Sequence, residues 1–346
     1  ALRRPSPRSL QILDDAWVDR TASGIVSTME AGRSTWQSWH VRAEALRQVR
    51  AANVPTGLID PAVERLVQAA LSVHSVALRV PTDGVEEPAV LRRADGESVY
   101  TVAGAELFTS ARIMAAEQRL VDAAGRTDGM VADRATVDVA LIEACANGLT
   151  LNPGQVDLVR QMAESGARVQ LAIAPAGSGK TTAMRALGLA WTEAGGTVLG
   201  LAPSAAAAAM LGEQLTAHTD TLAKLTWSLA NGQLPHWAAS IGPKTLVVID
   251  EAGMADTLTL DAAVTHILSR GGSVRLIGDN QQLAAIGAGG VLRDIANRYG
   301  AVRLNELVRF SDPAEGGASL ALRDGQTEAL GFYLDRDAST SATWPP

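Results

Sequence analysis

Residues 169–194 constrain the fold more than any other stretch of the chain. The apolar run Val169-Gln170-Leu171-Ala172-Ile173 reads as a buried strand, and Thr181 to about Ala194 carries Met184, Leu187 and Trp191 at helical spacing. Between them lies Ala174-Pro175-Ala176-Gly177-Ser178-Gly179-Lys180-Thr181. A strand, a glycine-rich turn and a helix in that order read as a phosphate-binding loop, where an isolated glycine-rich turn would hold no ligand. The N–H groups of Ala176, Gly177, Ser178, Gly179 and Lys180 can converge on phosphate oxygens, and the helix start adds the positive end of its dipole. On this reading Lys180 reaches the β- and γ-phosphates of a nucleoside triphosphate and the Thr181 hydroxyl ligates Mg²⁺, with Thr182 beside it in the nucleotide-binding set. Only Lys180, Lys224 and Lys244 are lysines among 30 basic residues, so a lysine at this position stands out from the background.

Composition narrows the class. With 346 residues the chain can hold two domains, and 47% hydrophobic against 19% charged residues suits a globular protein. No run reaches the length of a membrane span and no secretory segment opens the chain. Cys145 stands alone, which excludes a disulfide framework or a cysteine metal cluster and fits a reducing, cytoplasmic setting. The net charge of −7 argues against a protein that coats nucleic acid, while leaving room for a motor that grips one strand in a local groove. Residues 1–50 run the other way, with eight Arg against five acidic residues. That basic start reads as a solvated helical face, with contact to DNA phosphates as the alternative. The chain opens on Ala1 and is expected to be a piece of a longer protein.

The first 150 residues read as mainly helical. Helices are expected over about 8–30 and 34–51, and a third starts near Asp60-Pro61, where Asp can cap and Pro suits a first turn. Trp36 and Trp39, three apart, read as core packing on one face, with base stacking as the alternative. Asp95-Gly96 between Ala89-Val90-Leu91 and Val99-Tyr100-Thr101-Val102 predicts a β-hairpin. Thr109 to Ala124 and Asp133 to Ala146 read as helices, the second closed by Asn147-Gly148. After Leu151 strands and helices alternate, with strands at 169–174, 197–202, 245–250, 273–278 and 301–304. That rhythm predicts an α/β domain: a parallel sheet with helices on both faces. The domain boundary is expected near Gly148–Asn152, dividing 1–150 from the residues that follow.

Two further strand ends carry chemistry. Leu246-Val247-Val248-Ile249 runs into Asp250-Glu251-Ala252, which delivers two carboxylates beside the phosphate loop. Asp250 would hold Mg²⁺ through water and Glu251 would take a proton from the attacking water, where an isolated Asp-Glu pair would merely cap a helix. Leu276-Ile277-Gly278 runs into Asp279-Asn280-Gln281-Gln282. Gln282 could contact the γ-phosphate and report hydrolysis, with Asp279 orienting it, since an amide bonds to phosphate without adding charge.

The order of these motifs resembles superfamily 1 DNA helicases of the RecD-like branch, and most of all the helicase part of conjugative relaxase-helicases of the TraI/TrwC (MobF) type. The resemblance covers about 151–335 and is weaker over 1–150. It implies an α/β, RecA-like P-loop NTPase motor domain over 151–300, a mainly helical accessory domain with a small hairpin over 1–150, and the start of a second motor domain over 301–346. It implies that Gln155, in Leu151-Asn152-Pro153-Gly154-Gln155, reads the adenine edge. It implies that Pro203, Ser204 and Ala205, and also Thr221 in Thr219-Asp220-Thr221-Leu222, contact single-stranded DNA. Arg309, in Leu304-Asn305-Glu306-Leu307-Val308-Arg309-Phe310, would reach the γ-phosphate from a second motor domain, its bland alternative being an ion pair with Glu306. The family's relaxase half needs a histidine cluster and a nucleophilic tyrosine, and His40, His74, His218, His236 and His266 form no such cluster. Nicking is therefore not expected of this chain, and a relaxase domain and the rest of the second motor domain are expected elsewhere in the full protein. The resemblance implies ATP-driven 5′-to-3′ travel on single-stranded DNA. The alternatives are a RecD-type recombination helicase fragment, a non-catalytic ATP-binding module, and a P-loop ATPase that remodels proteins.

Overall fold

The computed structural model describes residues 14–78, 88–92, 106–175, 177–278, 290–304, 313–323 and 325–339. The chain divides into two compact units, residues 1–119 with 256–258 and 285–289, and residues 120–255 with 259–284 and 290–346.

The first unit is built on α1 (Asp15–Glu30), α2 (Ser38–Ala51) and α3 (Ile59–Ser72). Asp14 caps α1 by accepting from the Trp17 N–H at 2.7 Å, and Val18, Ala22, Ile25, Val26 and Met29 then recur on its buried face. A short antiparallel pair, β1 (Val76–Leu78) with β2 (Leu107–Thr109), completes the unit. The two tryptophans part company. Trp36 is fully buried and bridges Phe108 through its backbone, whereas Trp39 is 58% exposed. Trp36 precedes α2 in extended backbone, so a spacing of three does not put both rings on one face. Trp39 instead stacks on His40 with ring centroids 3.4 Å apart.

His40 also closes the start of α2, where its Nδ1 accepts from the Gln37 N–H at 3.0 Å. Burial, and next the Arg33 charge, lower the His40 pKa from 6.5. The folded unit therefore binds this proton less readily than the unfolded chain does. The stability His40 contributes is present above pH 6.5 and is lost as pH falls through its lower folded value. Thermal unfolding followed from pH 7.5 to 5 is expected to show that loss, and His40→Asn, which keeps an acceptor but does not titrate, should flatten it.

The expected hairpin is only partly within the described residues. Ala89–Leu91 forms a 3-10 turn, not a strand, because the Leu91 N–H closes back on the Pro88 carbonyl at 2.9 Å. Its other arm, with Asp95-Gly96, lies outside the described residues. The division between the two units falls within α4 (Ala111–Ala124), earlier than the change of rhythm at 148–152. Residues of α5 (Arg134–Ala146), including Val137 and Leu141, share a core with Leu158 and Leu187 of the second unit.

The second unit holds a six-stranded parallel sheet in the order β5-β4-β6-β7-β3-β8. Its strands are β3 (Val169–Ile173), β4 (Thr197–Ala202), β5 (His218–Thr221), β6 (Thr245–Ile249), β7 (Ser273–Gly278) and β8 (Val302–Arg303). The helices are α6 (Pro153–Glu164), α7 (Lys180–Glu193), α8 (Ala205–Leu215), α9 (Leu222–Ala230), α10 (His236–Ala239), α11 (Thr257–Ser269) and α12 (Val291–Tyr299), with α13 (Pro313–Arg323) and α14 (Leu330–Ser339) after β8. Alternation along the strands explains why the sheet is covered twice. Leu171, Val247, Ile249 and Leu276 pack with α9, α11 and α12, while Ala172, Leu246, Val248 and Ile277 pack with α5–α8. The α/β reading holds: this is a P-loop NTPase-like parallel sheet with helices on both faces. No helix among the described residues is long and apolar enough to cross a membrane.

Candidate nucleotide site

In a parallel sheet all carboxyl ends lie along one edge, and ligands bind in the crevice outside that edge. The phosphate loop leaves β3 there. Ala174 donates to the Gly278 carbonyl at 3.0 Å, so the loop departs beside the end of β7. Gly177 and Gly179 both take left-handed backbone, with φ of 82° and 73°, a conformation that costs other L-residues. Gly179 is the N-cap of α7, and Lys180 is that helix's first residue. The Ser178 hydroxyl is fully buried with no hydrogen-bond partner among the described residues. A buried unpaired hydroxyl costs about 1–3 kcal/mol, and an acceptor such as a phosphate oxygen would offset it. Ala176 lies outside the described residues.

Lys180 and Asp250 meet across β7, which separates their strands: Lys180 Nζ lies 2.7 Å from Asp250 Oδ1. The same Oδ1 accepts from the Glu251 N–H at 2.8 Å. Glu251 itself sits at φ 51°, one of three non-glycine residues with left-handed backbone among the described residues, and opens the turn Ala252–Met254. Thr181 is exposed in the first turn of α7 and Thr182 is half-buried. These groups fit Mg-ATP. One hydroxyl and one carboxylate beside a phosphate loop are what Mg²⁺ uses alongside phosphates and waters, because it keeps much of its hydration.

Gln155 is 3% exposed, and its amide is engaged at both ends. Oε1 accepts from the Asn152 N–H at 2.9 Å and Nε2 donates to the Gly179 carbonyl at 3.0 Å. Sequence reasoning missed that second bond, which spans 24 residues. The expected DNA contacts come together at the same sheet edge. Ser204 and Thr221 follow and end the paired strands β4 and β5, where Ala202 is opposite Thr221. Their hydroxyls accept from Ala207 N at 3.2 Å and Lys224 N at 3.1 Å, so each caps a helix. Pro203 is half-buried and Ala205 exposed. Asp279, Gln282, Glu306 and Arg309 lie outside the described residues.

A glycine loop between strand and helix, a lysine bonded to the carboxylate of a neighbouring strand, and a parallel sheet beneath them define a P-loop nucleoside-triphosphatase fold. The chain matches the AAA domain family over residues 150–343 and belongs to that family, a RecD-like helicase group. Conjugal transfer protein TraA of Agrobacterium fabrum (strain C58) is 34% identical to it over 170 residues, 48% of this chain and 15% of that protein. The probable conjugal transfer protein TraA of Sinorhizobium fredii is 35% identical over 160 residues, 46% of this chain and 14% of that protein. The chain therefore spans about a seventh of the length of these relatives. Domain III of the Thermotoga maritima replication initiation protein DnaA, at 14% identity and a TM-score of 0.28, covers 57% of this chain and 70% of its own, a likeness too slight to support more.

Proposed function

We propose that this chain is the ATPase motor part of a conjugative transfer helicase, coupling ATP hydrolysis to movement along single-stranded DNA. The observation that carries the reading is the Lys180–Asp250 pair at the carboxyl edge of the sheet, beside a loop whose Ser178 hydroxyl is buried and unpartnered. The TraA names of its relatives supply the conjugative context.

In this reading the loop from Ala176 to Thr182 holds the phosphates, and Thr181 and Asp250 hold Mg²⁺. Bound Mg-ATP supplies the phosphoryl group to be transferred. Lys180 balances charge on the transferring oxygens once Asp250 shares it with the phosphates. Glu251 takes the proton of the attacking water. Gln282 senses the γ-phosphate, and Arg309 adds positive charge from the start of a second motor domain at 301–346. Pro203, Ser204, Ala205 and Thr221 face the DNA backbone along the same edge, in a motor domain of residues 151–300 that follows the accessory residues 1–150 in the chain. A relaxase domain and the remainder of the second motor domain belong to the full-length, cytoplasmic protein.

The test is ATP turnover with and without single-stranded DNA, for this chain and for Lys180→Ala. Turnover should rise with DNA, and Lys180→Ala should lower it by about 10²–10³-fold. Absence of nucleotide binding would sink the site assignment. Turnover indifferent to DNA would favour an ATPase that remodels proteins.

A further inference from the structure

We infer that Gln155 is a positioning residue of the phosphate loop: it holds the Gly179–Lys180 peptide so that the Lys180 N–H faces the phosphates. The inference rests on the nucleotide-site reading above. Gly179 is the hinge of the loop, and a glycine populates left- and right-handed backbone with little preference. Without an anchor, the peptide that follows it can turn over at small cost. In a planar trans peptide the C=O and the next N–H point in opposite directions. Fixing the Gly179 carbonyl therefore aims the Lys180 N–H. That carbonyl takes two bonds, from Ala183 N at 3.2 Å within α7 and from Gln155 Nε2 at 3.0 Å. The first alone is a terminal bond of a helix, where fraying starts. The second comes from a different helix.

That helix is itself held at both ends. At the start of α6, Asn152 Oδ1 accepts from Gln155 N at 2.8 Å while Gln155 Oε1 accepts from Asn152 N, a reciprocal cap. At its other end the Met162 carbonyl accepts from Arg275 Nε at 3.0 Å and Nη2 at 2.6 Å. Leu158 and Met162 between them are fully buried. Gln155 thus acts from a rigid rod on the glycine joint that leads into α7. The amide's second N–H and second lone pair could still meet a base, but only adenine reading depends on which base is bound, so the two roles make different predictions.

Gln155→Glu separates them. A carboxylate at this position still accepts from Asn152 N–H, as glutamate does in a capping box, but cannot donate to Gly179. Binding of inorganic tripolyphosphate, ATP and GTP, each with Mg²⁺, would be measured by calorimetry. Q155E is expected to weaken all three by a similar factor, on the order of tenfold, the size of one lost hydrogen bond. Gln155→Met, which loses both bonds, should do the same and serves if the glutamate variant folds poorly. Asn152→Ala, which breaks the cap but leaves the Gly179 bond, should lower the unfolding temperature while holding all three affinities within about twofold. Loss of ATP affinity with tripolyphosphate and GTP unchanged would overturn the inference in favour of adenine contact. Unchanged affinities in Q155E and Q155M would overturn it outright while leaving the nucleotide site standing. A wild-type chain that binds no triphosphate overturns the nucleotide-site reading and the inference with it.

Discussion

Glu251→Gln is expected to retain Mg-ATP binding while DNA-stimulated turnover falls about 10²–10⁴-fold, the usual worth of a general base. The amide preserves the size of the side chain and the backbone it sits on, so binding and chemistry should separate in equilibrium titration and steady-state phosphate release. Turnover at the wild-type rate would remove Glu251 from the mechanism. The backbone adds a second arm. At φ 51° a residue with a Cβ bears about 1–2 kcal/mol of strain, here held by the Glu251 N–H bond to Asp250 Oδ1. Glu251→Gly removes that strain but gains freedom when unfolded, worth about 0.5–1 kcal/mol. The glycine variant should therefore lose turnover while unfolding at the same temperature or slightly higher. A position that is strained for its role, and that tolerates its own deletion in stability, is the signature of a functional constraint.

Arg275→Ala is expected to cost about 3–5 kcal/mol of stability, a large part of the 5–15 kcal/mol that folded domains have. Arg275 stands on β7 in the sheet interior, fully buried, and no carboxylate among the described residues pairs with it. Its guanidinium donates instead to backbone: to Met162 O through Nε and Nη2, and through Nη1 to Ala167 O at 2.9 Å and Val274 O at 3.0 Å. Met162 lies in the last turn of α6, where the helix dipole is negative, and the guanidinium carbon lies 5.7 Å from the centre of the Trp191 ring. Burial pushes the Arg275 pKa down to about 9, still well above neutral, so the group remains a cation at pH 7. Truncation leaves buried carbonyls without donors and opens a cavity. Arg275→Met separates the two losses by filling space without donating, and should cost less than alanine. Arg275→Lys should not rescue fully, because one ammonium cannot reproduce the planar fork. Urea denaturation with an unchanged m-value is the measurement, and an alanine variant within about 1 kcal/mol of wild type would refute the role.

Much of the site was legible from the chain alone because its parts are local. Val169–Ile173, the glycines and α7 are consecutive, and the run Leu246–Ile249 delivers Asp250 and Glu251 at its end. Their period and composition report burial directly. What escaped was non-local or polar. β5 is His218-Thr219-Asp220-Thr221, a polar strand at the sheet edge, so no apolar run marks it. Trp39 was expected in a core and lies on the surface because Trp36 precedes the helix. Arg275 did leave a trace: an arginine inside the central-strand run Val274-Arg275-Leu276-Ile277 must find partners on a neighbouring helix.

Taken alone, the sequence determined the class of the second unit, the glycine-rich loop, and the carboxylate pair at the end of β6, since each is written in a short stretch with its own periodicity. Only the tertiary structure decided that Lys180 and Asp250 are bonded across an intervening strand, that Gln155 reaches Gly179, and that Arg275 holds the last turn of α6. Those are pairings between residues 24 to 113 positions apart, and nothing in local spacing encodes which backbone carbonyl a folded chain will bring to a given donor.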